Sequence, residues 1–377
     1  MPTTKFIPAL LTPILAVLVL LTFLMDASPA TAQGTIRTQG RDVTPGSDLL
    51  PPVGSSGLDA VIDYREEMRR FVQNISAYVR KSKPDFTVLT MNGLELLTKP
   101  AEGNETQQFP ARTYIRTIDG VIQEGVFYGI PTLEVATVPE RRTPLLQRLA
   151  VAKESRLRIL TVDYARTPAI IDAATNMARD QGFIPFIAPA RPLSQLPPYP
   201  ARPDQENPKS ILSLPDVKNF LYLPESIGFG REDEYAMALH GTNYDMLILD
   251  VFHGRAALSR TAIETMKYKK LGARRMVVAR VNVGTAEAYR YYWRPEWREG
   301  SPRWINAPYP GNPDRYYVAY WQPEWQQIVS GGNQSYLFGI LQQGFDGIVL
   351  DGVEAYRFFE GTTNQQGSNQ QFFDVTP

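Results

Sequence analysis

The 377-residue chain has no cysteine and only two histidines, His240 and His253. The first absence excludes disulfides, thiolate nucleophiles and zinc-thiolate sites, and the second leaves too few imidazoles for a histidine-rich metal centre. Acid–base chemistry therefore falls to carboxylates. Neither sign of charge is in surplus, with Lys plus Arg and Asp plus Glu at 39 each, so neither nucleic acid nor a solvating acidic tail is indicated. An uncharged or patchily charged polymer is the easier partner. The chain does have apolar residues, at 43% enough for one large domain with a substantial core.

Met1 to Ala32 reads as an export signal, with Lys5 in a short n-region, an apolar run from Phe6 to Met25 and Ala30-Thr31-Ala32 as a small-residue cleavage site. The run is nearly long enough to span a bilayer, so an uncleaved N-terminal anchor stays open beside a cleaved signal. Either fate places the protein outside the cytosol, secreted, periplasmic or in the cell envelope. The mature chain has no membrane span unless the signal is kept. Residues 33–57 are rich in Gly, Ser, Pro and Thr and read as a flexible linker. From Leu58 to Lys83, Tyr64, Met68, Phe71, Val72, Ile75 and Val79 recur at three- and four-residue spacing, predicting an amphipathic helix that stops before Pro84.

Eight apolar segments read as strands: Phe86–Met91, Val121–Phe127, Leu157–Val162, Phe183–Ala188, Phe220–Leu223, Met246–Leu249, Met276–Val283 and Ile348–Leu350. Between them, Pro144–Glu154, Pro168–Gln181, Arg231–His240, Thr261–Leu271 and Trp325–Gln343 read as helices. Alternation of this kind predicts an α/β chain with a parallel sheet, and eight strands is the number of a (β/α)8 TIM barrel spanning 58–360. An open doubly wound sheet is the competing architecture. No periodic helix follows the last strand, and residues 361–377 form a polar tail, so the helix at Leu58–Lys83 is expected to complete the outer helical ring. Pro189 to Lys209 is too proline-rich for a helix and reads as a lid or binding wall.

Two stretches carry the chemistry. Gly344-Phe345-Asp346-Gly347-Ile348-Val349-Leu350-Asp351-Gly352-Val353-Glu354 is a buried strand delivering carboxylates at its C-terminal end. Met276 to Val283 is a second such strand, followed by Gly284-Thr285-Ala286-Glu287-Ala288-Tyr289-Arg290 on what reads as a helix start. With Tyr244-Asp245-Met246-Leu247-Ile248-Leu249-Asp250 upstream, these motifs resemble the barrel of the endo-α-1,4-polygalactosaminidases, glycoside hydrolase family 114, over about Tyr64 to Tyr356. The resemblance implies an exported hydrolase that cleaves α-1,4 bonds in galactosamine-containing polysaccharide, with no cofactor and no metal. A monomer is expected. Where the family pattern has Gly-Glu-Ala-Glu, Thr285 replaces the first acid, which keeps open a non-catalytic glycan-binding or envelope protein on the same scaffold.

Barrel enzymes place their chemistry at the C-terminal strand ends. Those ends carry Asn92, Glu124, Asp163, Asp250, Glu287 behind Gly284, and Asp351. Glycoside hydrolysis needs a carboxyl pair, and Glu287 and Asp351 are the expected catalytic pair, with acid and nucleophile unassigned between them. Asp250, Asp163, Glu124, Tyr289, Arg290, Trp293 and Glu354 are expected to bind substrate, Arg290 by pairing with a rim carboxylate. All five Trp lie between Trp293 and Trp325 with many Tyr, rings that suit the apolar face of a pyranose. A carboxylate-rich groove would suit the cationic amines of free galactosamine. His253 is either a donor behind the site or a structural hydrogen bonder.

Overall fold

The computed structural model describes residues 62–101 and 103–361. The expected signal or anchor, the linker and the tail from residue 362 lie outside the described residues. Among the described residues, no helix is long and apolar enough to cross a membrane.

The first helix, α1 (Tyr64–Ser82), begins where the Asp63 carboxylate accepts the Glu66 N–H at 2.9 Å, and carries Glu66 and Glu67 in its first turn and Arg80 and Lys81 in its last. Those charges suit the helix dipole. Its apolar stripe, Met68, Phe71, Val72, Ile75 and Val79, is fully buried. Three further bonds tie its start to the last part of the described chain: Arg65 donates twice to Glu360 at 3.0 Å, and the Tyr320 hydroxyl donates to the Tyr64 carbonyl at 2.7 Å. Phe71→Ala is expected to cost about 3–5 kcal/mol. A thermal melt of the variant checks this, and an unchanged midpoint would mean that α1 contributes nothing to the domain.

Eight strands follow: β1 (Thr87–Met91), β2 (Gly120–Glu124), β3 (Arg158–Tyr164), β4 (Ile184–Ala188), β5 (Phe220–Leu223), β6 (Met246–Asp250), β7 (Met276–Asn282) and β8 (Gly347–Asp351). All are parallel, in the order β4-β3-β2-β1-β8-β7-β6-β5, so β8 pairs with both β1 and β7. β4 and β5 lie side by side without a hydrogen-bonded ladder. The result is a nearly closed eight-strand parallel barrel, not an open doubly wound sheet. The strands are buried along almost their whole length, as expected of a sheet covered on both faces.

The crossovers carry α2 (Pro139–Glu154), α3 (Pro168–Asp180), α4 (Glu232–His240) and α5 (Arg260–Met266), with α6 (Pro323–Ser330) and α7 (Tyr336–Gln343) before β8. The open seam coincides with the proline-rich 189–219 connection, which has no α-helix. This connection is tethered. Buried Lys269 bonds the carbonyls of Asn207 and Lys209 at 2.7 and 3.0 Å and pairs with fully buried Asp245.

Several expected boundaries need correction. The single helix expected at Trp325–Gln343 is two, because Gly331-Gly332 interrupts it and Ser335 caps the second. The helix expected at Thr261–Leu271 ends at Met266, since Lys269 turns inward to Asp245. The helix start expected at Gly284–Arg290 is instead a strand, Thr285–Glu287, paired antiparallel with Asn312–Val318, which also pairs with Ile305–Tyr309. A partner strand some 30 residues downstream, which no local pattern announces, overrides the helix signal. The hairpin of Thr98–Ala101 and Asn104–Pro110 was likewise not expected.

Candidate active site

The C-terminal ends of β2, β6, β7 and β8 bring the expected acids to one end of the barrel. Two glycines set how closely the last two ends approach. A Cβ on Gly284 would sit 2.0 Å from the Gly352 carbonyl oxygen, and one on Gly352, at φ +74°, would sit 2.6 Å from Asn282 Oδ1. The two motifs therefore meet backbone to backbone. Asn282 pairs with Asp351 in register, and its Oδ1 accepts the N–H groups of Gly284 and Thr285 at 3.2 and 2.8 Å.

Asp351 closes β8. Its Oδ2 accepts Nε of Arg280 at 2.8 Å and a second bond from the same guanidinium, and its Oδ1 accepts the Gly352 N–H at 2.8 Å. Burial alone would raise its pKa, but Arg280 and Arg315 hold it below the ordinary aspartate value. Glu287 shows the same balance: burial is opposed by Arg290, Arg315 and Arg280, and the carboxyl lies below the ordinary glutamate range. Arg290 joins it to Asp250, donating Nη1 and Nη2 to the two Asp250 oxygens at 2.9 and 2.7 Å while its Nε bonds Glu287. The rim carboxylate that the sequence expected Arg290 to pair with is thus two, Asp250 held by the fork and Glu287 by Nε.

On the opposite side, Glu124 accepts the Tyr164 hydroxyl, Asn92 Nδ2 at 2.9 Å and Arg191 Nη2 at 3.3 Å. Burial raises the pKa of the Tyr222 phenol on β5, and the charges of both the Arg280–Asp351 and the Glu124–Arg191 pairs act on it. Most carboxylates here are matched by arginines. The groove is therefore less acidic than sequence suggested, and free amines lose much of their expected attraction.

Three carboxyls shift the other way. Burial pushes Glu354 up to about 7, helped by the neighbouring Asp351 charge, and its Oε2 is buried without a partner. Burial also pushes Asp163 up to about 7, against hydrogen bonds from the Phe127 and Tyr128 N–H groups at 2.8 and 2.9 Å. Asp163 is 0% exposed: its Oδ1 holds the loop after β2, and its Oδ2 is buried without a partner. The third is Glu225, two residues past β5. Partial desolvation at the crowded rim raises it, then the charges of Asp250 and Glu287, while Arg280 and Arg290 oppose. Leu223 pairs with Leu249, so Glu225 stands about one residue above Asp250, exposed at the mouth.

Sequence reasoning missed Glu225 because β5 is a short apolar segment whose end, Leu223-Pro224-Glu225, was not counted among the acid-bearing strand ends. It also missed Arg280, although a charge inside a β-branched run was a signal that something must neutralise it. The aromatic segment divides in two. Trp293 stacks on Tyr316 at 5.3 Å, and Trp297, Trp304 and Trp325 continue the cluster, with fully buried Trp325 donating Nε1 to the Val283 carbonyl at 2.9 Å. These rings form a small core. Tyr289 and Tyr291, 47% and 55% exposed, present faces to solvent. His253 is structural: its ring nitrogens bond Ser226 Oγ at 2.8 Å and the Gly230 carbonyl at 2.6 Å, and it stacks on Tyr235. Among the described residues, no group of three or more His, Asp or Glu is placed to hold a metal ion.

Comparison with known proteins gives partial matches. An uncharacterized protein of Thermotoga maritima is 36% identical over 26% of this chain and 29% of its own length. An uncharacterized protein of Methanocaldococcus jannaschii is 34% identical over 31% of this chain and 33% of its own. One from Deinococcus radiodurans is 31% identical over 32% and 36%. The chain thus spans about a third of the length of the curated relatives it matches. The sequence model of Glycoside-hydrolase family GH114 matches residues 229–374, a stretch that includes β6, β7, β8 and the acids Asp250, Glu287 and Asp351.

Proposed function

We infer, from the match of residues 229–374 to the sequence model of glycoside-hydrolase family GH114, that the protein is a glycoside hydrolase. In this reading it is exported and cleaves α-1,4-linked galactosamine-containing polysaccharide, on a (β/α)8 TIM barrel whose outer ring α1 completes. What supports the activity is that the C-terminal strand ends bring together carboxyls of opposite tendency, Asp351 and Glu287 held low by arginines and Glu225, about one residue above Asp250, shifted up. Glycoside hydrolysis uses such a division: a carboxylic acid protonates the leaving oxygen while a carboxylate attacks the anomeric carbon or activates water. The expected pair, Glu287 and Asp351, is anionic on both sides. Asp351 therefore takes the anionic role, Glu287 with Arg290 and Asp250 stabilises positive charge developing on the sugar, and Glu225 at the open rim supplies the proton. Tyr289 and Tyr291 offer ring faces to the pyranose.

Glu225→Gln tests this division of labour. It is expected to lower hydrolysis of unactivated polysaccharide by roughly 10²–10⁴-fold. An aryl glycoside with a good leaving group needs little protonation and should lose far less. In the wild type a proton donor with a raised pKa must be protonated to act, so the rate should fall as pH rises through that raised value, and this limb should vanish in the variant. Equal losses on both substrates with the limb intact would remove Glu225 from the chemistry. Thr285, in place of an acid in the family pattern, favours a second reading, a glycan-binding protein without cleavage. Binding of polysaccharide with no product release would select it.

A further inference from the structure

Arg315 stands apart from the other arginines of the cleft. Arg290 is shared by Asp250 and Glu287, Arg280 serves Asp351, and Arg191 serves Glu124. Arg315 lies opposite Glu287 on the antiparallel strand, but among the described residues it has no carboxylate within ion-pair distance. Its Nε donates instead to the Thr285 hydroxyl at 2.6 Å, and its guanidinium lies 4.3 Å from the centre of the Tyr309 ring. These contacts fix the plane of the fork and leave its two η-nitrogens without a protein acceptor among the described residues. Neither is a sealed, unsatisfied atom, so both keep surface open to solvent.

A guanidinium held by one nitrogen and one ring face, with its outer edge open, is a preorganised donor for a ligand oxygen. Arg315 sits in register opposite Glu287, and its charge reaches both Glu287 and Asp351, which puts the edge on the side of the site where those two acids stand. We propose that Arg315, set by Thr285 and Tyr309, is a specificity site that takes a hydrogen-bond-accepting oxygen on the sugar ring, the carbonyl of an acetamido group or the carboxylate of a uronic acid, and rejects a free ammonium. The inference rests on the glycoside-hydrolase reading for its substrate class and narrows it to acylated or acidic stretches of polymer. Thr285 matters because a carboxylate at that position would pair with Arg315 and cancel the discrimination.

The test is calorimetric binding of three oligosaccharides, α-1,4-linked galactosamine, its N-acetylated form and galacturonan of equal length, to the full chain. Wild type is expected to bind the acetylated or the uronate oligomer at least about tenfold more tightly than the free amine. Which of the two binds identifies the source of the oxygen. Arg315→Gln should erase that ratio, and Thr285→Glu should erase or invert it in favour of the amine. Equal or tighter binding of the free amine by wild type, no binding of any oligomer, or a ratio unchanged in folded Arg315→Gln would overturn the proposal. The preference persisting without hydrolysis would uphold this site and sink the enzyme reading. Hydrolysis with preference for the free amine would do the reverse.

Discussion

Asp351→Asn is expected to lower polysaccharide hydrolysis by roughly 10²–10⁴-fold while leaving a folded barrel. The carboxylate closes β8 and is held ionised by Arg280 and Arg315. Asn keeps the shape and one acceptor for the Gly352 N–H, so the local turn should persist. It removes the negative charge, and with it the group that attacks or activates water. Arg280 then stays partly buried without its partner, which costs stability as well. Turnover and thermal midpoint must therefore be measured together. A variant that melts near wild type and has lost activity supports the assignment, whereas one that cleaves at the wild-type rate moves the chemistry elsewhere on the rim.

A stability effect as large as that of Phe71→Ala is expected at Arg290. Its side chain is 8% exposed and is the shared partner of Asp250 and Glu287, themselves 16% and 6% exposed. Arg290→Met fills much of the same volume but strands two crowded carboxylates. Breaking a buried pair from one side typically costs about 3–5 kcal/mol. For a domain of this size that is a fall in melting temperature on the order of 10 °C. The pH dependence carries a sign. The folded pKa of Glu287 is depressed, so its contribution is present above the unfolded glutamate value and is lost as pH falls through the folded one. The gap between wild type and Arg290→Met should thus be widest near neutrality and narrow on acidification. A gap that widened in acid would show that Arg290 acts through something other than these carboxylates.

Much of the barrel was legible in the sequence because parallel strands buried on both faces read as short apolar runs, and all eight such runs are strands. Their ends were less legible. Val121–Phe127 looked continuous, yet the strand stops at Glu124 because Gly125 turns the chain at φ +60°. The antiparallel sheet around Thr285–Glu287 was invisible for a different reason: its partners, Arg315 to Tyr317, lie about 30 residues downstream in the stretch that sequence read only for its many aromatics. In the site, motif spacing brought Asp250, Glu287 and Asp351 into view. It said nothing of which carboxyls would be ionised, since that depends on Arg280, Arg290 and Arg315 arriving from three different segments. Asp163 shows the opposite case, a strand-end acid whose Oδ1 satisfies backbone N–H groups.

The most direct test of the central claim is oligosaccharide release from a panel of purified polysaccharides, including partly deacetylated galactosaminogalactan, by wild type and by Asp351→Asn. Release by the wild type that Asp351→Asn abolishes while remaining folded is the predicted result. No release from any polymer by folded wild type, or equal release by both proteins, would contradict the account of this cleft as a carboxylate-driven glycosidase site.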